Sequence, residues 1–217
     1  MGTDIHGIFQ RHDGSQWIDV PSTYDFGRHY QLFAVLADVR NGYGFAGVKT
    51  GEPVKPIAPR RGLPPDFEMD GDDHPLASAD LESPWRQKAR LEHPDWYVDE
   101  KLAVWMGDHS HSWLTADEML AWYAKAPRVI KTGILDRAIY DAWSGEGNPS
   151  EWCGGIGGGG VVTINDNELE KREVPGWTHI RCEWESGLGQ ELAYFFDEVK
   201  RLADLHGRVR FVFGFDS

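Results

Sequence analysis

A stretch rich in proline and glycine limits what this chain can fold into more than any other feature of its sequence. Between Gly42 and Pro94, prolines stand at positions 53, 56, 59, 64 and 65, and an acidic stretch follows at 66–73. Proline fixes the backbone φ angle and lacks an amide hydrogen, so long helices and sheet interiors cannot form across these positions. We expect an irregular excursion that lies against a pocket, because such segments often carry function.

The segments that flank this excursion show the periodic patterns of strands and helices. Apolar alternation and an Asp13-Gly14 turn signal predict strands at 5–11, 16–20, 161–164, 178–184 and 209–215. Helical spacing and a capping box at Thr115–Glu118 predict helices at 30–39, 115–125, 132–143 and 190–206. Strands at both ends with helices between them indicate an α+β fold, with an antiparallel or mixed sheet that contains both terminal strands and is covered by helices.

The length and the cysteine content favour a simple organisation. The 217 residues show no internal repeat and no second hydrophobic core, so we predict one domain over 1–217 with an irregular excursion at about 42–94. Cys153 and Cys182 are the two cysteines, too few for a disulfide framework or a CxxC metal knuckle. The glycine-rich segment 154–160 contains a GxGxxG pattern but leads into a predicted strand, so it does not fit a dinucleotide-binding turn.

The charge excludes several classes of partner. A formal net charge of −13 without a basic run argues against a nucleic-acid polymer and against an anionic membrane surface. A small anionic ligand remains compatible, because a few inward-facing arginines can bind one. The start of the chain lacks the pattern of a signal peptide, and no apolar run could span a bilayer, so we expect a cytoplasmic protein.

The first candidate site is at the start of the first predicted strand. Asp4 and His6 point to the same face of a strand, since alternate residues do. A carboxylate and an imidazole placed together suit a divalent cation such as zinc or manganese, or they pair with each other without a catalytic role. If the last strand lies beside the first, Asp216 comes close to this pair.

The second candidate site precedes the predicted helix that begins at residue 115. The residues that could act there are Asp108, His109, Ser110, His111, Ser112 and Trp113. A helix N-terminus offers free amide hydrogens that suit an anion. We predict that Asp4, His6, His109 and His111 converge as metal ligands, that Asp108 and the three histidines are catalytic, and that Ser110, Ser112 and Trp113 contact the substrate. The alternative is that Ser112 caps the helix and the histidines lie at the surface.

A third candidate site flanks the short helix predicted at 30–39. Arg28 and Arg40 stand at its two ends, and Asn41 follows the second of them. Arginine binds phosphate and carboxylate groups in a bidentate manner, so we predict that these three residues contact an anionic substrate. The alternative is ion pairing at the surface of an acidic protein.

Two resemblances follow from these motifs. The opening Asp4-Ile5-His6-Gly7 resembles the D-x-H-G of calcineurin-like metallophosphoesterases, although the G-N-H-E motif of that family is missing. Over more of its length the chain resembles an uncharacterised family of phage-encoded proteins, which begin M-G-x-D-I-H and carry R-x-Y-x-L-F followed by V-R-N, and H-S-x-S-W-L-T. The second resemblance implies a role in the cytoplasm of an infected host cell, without implying an activity.

These observations leave three functions open. The first is a phage-type intracellular hydrolase that acts on a small anionic, nucleotide-like substrate such as a defence signal, with water activated by a metal or by a histidine. The second is a non-enzymatic protein that binds and sequesters such a signal. The third is a protein–protein inhibitor of a host factor, which would use its acidic surface.

Overall fold

A computed structural model describes residues 2–67, 106–154 and 169–216. The described chain divides into two compact units, and the prediction of one domain over 1–217 stays a prediction. One, the sheet unit, is formed by Thr3–His29, Ile57–Tyr123 and Tyr194–Ser217. The other, the hairpin unit, is formed by Met1–Gly2, Tyr30–Pro56 and Ala124–Ala193. The strand predicted at 161–164 and most of the glycine-rich segment lie outside the described residues.

A four-stranded antiparallel sheet forms the centre of the sheet unit. Its strands are β1 (Asp4–His12), β2 (Trp17–Val20), β3 (His109–Thr115) and β6 (Val209–Asp216), in the order β2-β1-β6-β3. The helices α2 (Ala116–Tyr123) and α5 (Ala193–His206) accompany it. The predictions of an α+β fold and of one sheet that contains both terminal strands are confirmed.

One face of this sheet holds the hydrophobic core of the unit. Phe211, Phe213 and Phe215 alternate along β6 and are fully buried. Phe9 on β1 stacks on Phe211 at 4.6 Å between ring centroids, and Phe195 of α5 lies 5.5 Å from the same ring. Each such side chain contributes roughly 1.5–3 kcal/mol by leaving water, so the phenylalanine layer holds α5 on the sheet.

The opposite face of the sheet carries polar side chains, and we call it the polar face. Because opposed residues of an antiparallel pair share a face, the register assigns to it Asp4, His6, Ile8, Gln10, Arg210, Val212, Gly214 and Asp216. Its middle is apolar, since Ile8, Val212 and Met106 form a buried cluster there with Trp113 packed against them. The polar groups are therefore separated into two ends.

The hairpin unit is built around two long antiparallel strands. These are β4 (Arg128–Asp136) and β5 (His179–Gly187), which pair over their whole length. The unit also contains α1 (Tyr30–Ala37), a 3-10 turn (Phe45–Gly47), α3 (Arg137–Ala142) and α4 (Leu188–Glu191). The buried Lys131 of β4 pairs with Glu191 at 2.6 Å. Trp152 packs edge-on against Trp184 of β5.

The structure corrects one predicted element. Residues 132–143 were expected to form a helix, but 128–136 are strand β4 and the helix is only the short α3. Asp136 separates the two, because its side chain accepts a hydrogen bond from the Ile139 amide and caps the helix there. Within the excursion, residues 42–67 contain no regular helix beyond the 3-10 turn, as predicted, and its remainder lies outside the described residues. No helix of the described residues is long and apolar enough to cross a membrane.

A buried carboxylate ties α5 to the loop after β2. Glu198 is nearly buried, accepts hydrogen bonds from the Thr23 amide, the Thr23 hydroxyl and the Ser22 hydroxyl, and pairs with Arg201. The Arg201 guanidinium, followed by these hydroxyl and amide donors, lowers the pKa of Glu198 from 4.5 to about 2. Four separate groups thus donate to the Glu198 carboxylate, and these hydrogen bonds are strong only while the carboxyl group is ionised.

The first prediction concerns this carboxylate. A lowered pKa means that the stabilising contribution is complete above pH 4.5 and is lost as the pH falls towards about 2. We expect Glu198→Gln to lower the free energy of unfolding by about 1.5–3 kcal/mol at pH 7, the value of hydrogen bonds to a charged group. Urea unfolding at several pH values should show the difference from wild type shrinking below pH 4.5. Glu185→Gln, which breaks an exposed pair with Arg128, is the control and should change stability much less.

The second prediction concerns Gly214 at the centre of β6. A Cβ atom added there would clash with the Met106 carbonyl oxygen and would lie 2.5 Å from the His111 ring. Gly214→Ala should therefore destabilise the protein by about 1–3 kcal/mol in thermal or urea unfolding, the usual cost of overpacking. Gly27→Ala is the control, because nothing lies within 4 Å of its added Cβ. Equal stability of the two variants would contradict the close approach of Met106 and His111 to Gly214.

Candidate functional site

The polar face has two ends with different chemistry. The first end contains the histidines that the sequence singled out, and the second contains a cavity that it did not. Both ends belong to the sheet unit, because β1, β3 and β6 supply their residues.

At the first end, the structure brings His6 and His111 to the same place. His6 is opposite Gly214 in the register, and the His111 ring lies against the Cα of Gly214, so both imidazoles are on the polar face at that glycine. His109 is opposite Phe215, and their rings stack at 6.1 Å between centroids. His109 therefore lies on the other face of the sheet.

A bulge in β3 causes this separation. The register shifts between His109 and Ser112, so that two residues of β3 oppose Gly214 alone. Ser110 takes a positive φ of 56° there, which turns the chain and places His111 on the polar face. Alternation without the bulge would have put His109 and His111 on one face, which is the arrangement that the sequence predicted.

The first end is held together by ion pairs rather than by a metal-binding arrangement. His6 Nε2 lies 3.3 Å from Asp216 Oδ2, as the prediction for Asp216 required. Asp4 is held by Arg28, whose Nε and Nη2 donate to its two oxygens at 2.6 and 2.8 Å and lower the pKa of its carboxyl group. His111 Nε2 lies 2.9 Å from the Gly107 carbonyl oxygen.

The structure does not bring the four predicted metal ligands together. Asp4, His6 and His111 share the polar face, but His109 is on the other side of the sheet. In the part of the chain that the structure describes, no group of three or more His, Cys, Asp or Glu side chains could hold a metal ion. Asp108 does not complete a set, since its side chain is exposed and its amide donates to the Phe215 carbonyl at 2.8 Å.

Several predicted substrate-binding residues make internal contacts instead. Arg28 is paired with Asp4, and Arg40, in the hairpin unit, lies over the Tyr30 ring at 5.8 Å. Asn41 exchanges two hydrogen bonds of 2.7 Å with the Val54 backbone, which fixes the turn after α1. The amide of Asn41 is thus committed to the fold.

The two serines of the second motif also have structural partners. The Ser110 hydroxyl accepts a hydrogen bond from Arg60 Nη1 at 2.7 Å. Ser112 is fully buried, and its hydroxyl accepts from the Arg61 amide at 3.2 Å. These contacts attach the segment that includes residues 60 and 61 to β3.

At the second end of the polar face lies a cavity of about 410 Å³. We call it the tryptophan–arginine cavity; its lining residues are Trp17, Pro64, Pro65, Asp66, Trp113, Thr115, Asp117, Gly207, Arg208, Val209 and Arg210. Of the residues that the sequence singled out, Trp113 is the one in this lining. The volume is within the range of roughly 300–1,000 Å³ that small-molecule sites have, and the walls combine apolar surface with a few charges, as such sites do.

Arg210 is the central polar group of this cavity. Its side chain is 3 % exposed, Nε donates to Gln10 Oε1 at 2.8 Å, and Nη1 donates to Asp66 Oδ1 at 2.8 Å. The guanidinium lies 4.3 Å from the centre of the Trp17 ring. Nη2 is buried and has no hydrogen-bond partner among the residues that the structure describes. An unpaired buried donor costs about 1–3 kcal/mol, so a native structure that keeps one calls for an explanation.

The charges around the cavity are nearly balanced. Arg208 and Arg210 supply the cations, and the Arg208 guanidinium lies 5.7 Å from the Trp17 ring centre. Asp66 and Asp117 supply the carboxylates, and the Arg210 guanidinium lowers the pKa of Asp66. A planar guanidinium with an open donor, in a partly apolar recess, can recognise a carboxylate or a phosphate through charge-assisted hydrogen bonds.

Sequence reasoning missed this site, although a signal was present. Arg210 is the one charged residue between Val209 and Phe215, a stretch whose other members are apolar or glycine. An arginine inside a buried strand has to be satisfied by partners or by a ligand. Those partners come from residues 10 and 66, which are far away in the sequence.

The comparisons with known proteins add no relative. The chain matches no protein-family model, no curated protein and no solved structure. The resemblances to phage-encoded proteins and to metallophosphoesterases therefore stay predictions, and the function has to be argued from the site.

Proposed function

We propose that this protein binds a small organic anion of nucleotide type in the tryptophan–arginine cavity and holds it without chemical change. The observation that carries the proposal is the Nη2 group of Arg210, which is buried in the lining of the cavity and finds no hydrogen-bond partner in the described part of the chain. An oxyanion is the group that a guanidinium binds best, since it accepts two parallel hydrogen bonds. If the resemblance to phage proteins is correct, such binding would sequester a defence signal in the host cytoplasm.

The composition of the lining favours binding over hydrolysis at this place. Its described residues include no imidazole and no thiol. The one lining hydroxyl group, that of Thr115, donates to Glu118 Oε2 at 3.0 Å in the capping box of α2. A general base or nucleophile would have to come from Asp66 or Asp117, and Asp66 is bound to Arg210. The walls instead offer the apolar surface of Trp17 and Trp113 for the ring portion of a ligand.

The third prediction tests this proposal by calorimetric titration with four nucleoside 5′-monophosphates (AMP, GMP, CMP and UMP) and with the four parent nucleosides. At least one monophosphate should bind, and it should bind more tightly than its nucleoside, because only the phosphate can engage Arg210. Arg210→Lys should weaken that binding roughly 10–100-fold, since a charge-assisted hydrogen bond and the planar fork are lost. Ligand recovered from the complex should be chemically unchanged.

The control for this experiment is Arg128→Lys, which alters an exposed arginine in the hairpin unit that does not line the cavity. Circular dichroism of both variants should confirm that they are folded. The proposal is wrong if all four monophosphates bind no more tightly than their nucleosides, or if both arginine variants change affinity equally.

A hydrolase remains a second candidate, and the His6–Asp216 contact favours it. A carboxylate beside an imidazole is the arrangement that orients a general base. The side chains of His6 and Asp216 are 26 % and 29 % exposed, so a small substrate could reach the exposed part of the imidazole, while Nε2 itself is buried beside Asp216.

The fourth prediction separates the two candidates. If the first end of the polar face is catalytic, wild-type protein will release phosphate or nucleoside from one of the four monophosphates. His6→Ala will then abolish turnover, whereas His109→Ala will retain it, because His109 is on the other face of the sheet. Chromatography of the reaction products measures both outcomes. Quantitative recovery of intact monophosphate from wild-type protein after prolonged incubation would eliminate the hydrolase for this class of substrate.

A further inference from the structure

The hydrogen bonds of Arg210 show which side of its guanidinium a ligand can use. Gln10 holds the Nε side, and its own position is fixed because Gln10 Nε2 donates to Asp19 Oδ1 at 2.7 Å. These hydrogen bonds run across the sheet, from Asp19 on β2 through Gln10 on β1 to Arg210 on β6. A bidentate anion is therefore restricted to the opposite fork, which consists of Nη1 and Nη2.

Asp66 occupies one half of that fork. One of its carboxylate oxygens accepts from Nη1 at 2.8 Å, while Nη2 has no hydrogen-bond partner within residues 2–67, 106–154 and 169–216. The arrangement is that of an arginine–carboxylate pair with one of its two hydrogen bonds missing. A ligand with two suitably spaced oxygens would satisfy both donors where Asp66 satisfies one.

The two partners differ sharply in exposure. The Arg210 side chain is 3 % exposed, whereas the Asp66 side chain is 53 % exposed. Asp66 also follows Pro64 and Pro65 in a segment without helix or strand, so it is not held by a sheet ladder. Rotating the Asp66 side chain away requires no change in the sheet, and because Nη2 is buried, an anion can reach it only after a neighbouring group moves.

From these three observations we infer that Asp66 is an internal competitor for the anion-binding group of Arg210, and that the ligand's phosphate or carboxylate displaces it. This inference rests on the proposed function and deepens it. In the absence of ligand, Asp66 neutralises the buried guanidinium, which would otherwise be costly. On binding, the ligand's anion takes Nη1 and Nη2 together, and the Asp66 carboxylate becomes solvated. The competition lowers the affinity for any weak anion and selects ligands that form both hydrogen bonds.

The fifth prediction tests this competition. Asp66→Asn keeps the size of the side chain but removes the charge that competes for Arg210, so AMP should bind roughly tenfold more tightly than to wild type, as expected for the loss of one charge-assisted contact. Asp117→Asn is the matched control. Asp117 also lines the cavity, and its replacement removes the same charge without altering the Arg210–Asp66 hydrogen bond. We expect the control to tighten binding less than about threefold, the effect of a longer-range charge in a solvated wall.

The outcomes of the titrations distinguish this inference from the proposed function. If wild-type protein binds AMP and Asp66→Asn binds it equally or more weakly, the competition is refuted while the binding function stands. Equal tightening by both variants would show an effect of net charge alone and would also refute it. If neither wild type nor Asp66→Asn binds AMP or the other three monophosphates, the proposed function itself fails.

Discussion

The antiparallel pairing of β1 with β6 is the constraint on which the rest of the sheet unit depends. It joins the two ends of the described chain in eight register pairs, from Asp4 opposite Asp216 to Arg11 opposite Val209. Because side chains alternate along each strand, this single register decides at once which residues enter the phenylalanine core and which form the polar face. A shift by one residue would bury Arg210 and Asp216 in the core and expose Phe211, Phe213 and Phe215. The energetic penalty against such a shift is large, which is why a polar face can exist beside an apolar one.

The two ends of the polar face illustrate different uses of buried polar groups. At the first end, Arg28 donates to both oxygens of Asp4, His6 Nε2 lies buried 3.3 Å from Asp216 Oδ2, and the His111 ring packs where residues 106–108 pass over Gly214. At the second end, the almost entirely buried Arg210 has a donor, Nη2, that no described residue satisfies. Beside it lies the cavity of about 410 Å³, and an unsatisfied buried donor beside a cavity has capacity for a ligand. The cavity is the reason for placing the proposed binding function at the second end.

The sequence predicted more of the fold than of the site. Its α+β class and the presence of both terminal strands in one sheet follow from local patterns at the two ends, and the structure confirms them. Asp216 lies near His6, as expected if the two strands are neighbours, but the strand order itself was not predicted. The helix predicted at 132–143 was wrong because Asp136 ends a strand and caps a helix within that range. A pattern of apolar residues taken over the whole range does not reveal this change from strand to helix. The strand β3 was not predicted at all. Its residues, from His109 to Thr115, are mostly polar, and they form a strand because β6 supplies the partner.

What the sequence by itself determined is the alternation of phenylalanines along β6, the largely irregular path of residues 42–67 and the residue types available for chemistry. What only the tertiary structure decided is where those residue types meet. The bulge at Ser110 places His109 and His111 on opposite faces of the sheet, and no local signal in the sequence indicates this bulge. The partners of Arg210, at positions 10 and 66, lie 200 and 144 residues away along the chain. Contacts at such separations depend on strand order and register, which are set by the burial of the whole core and not by any neighbouring residues.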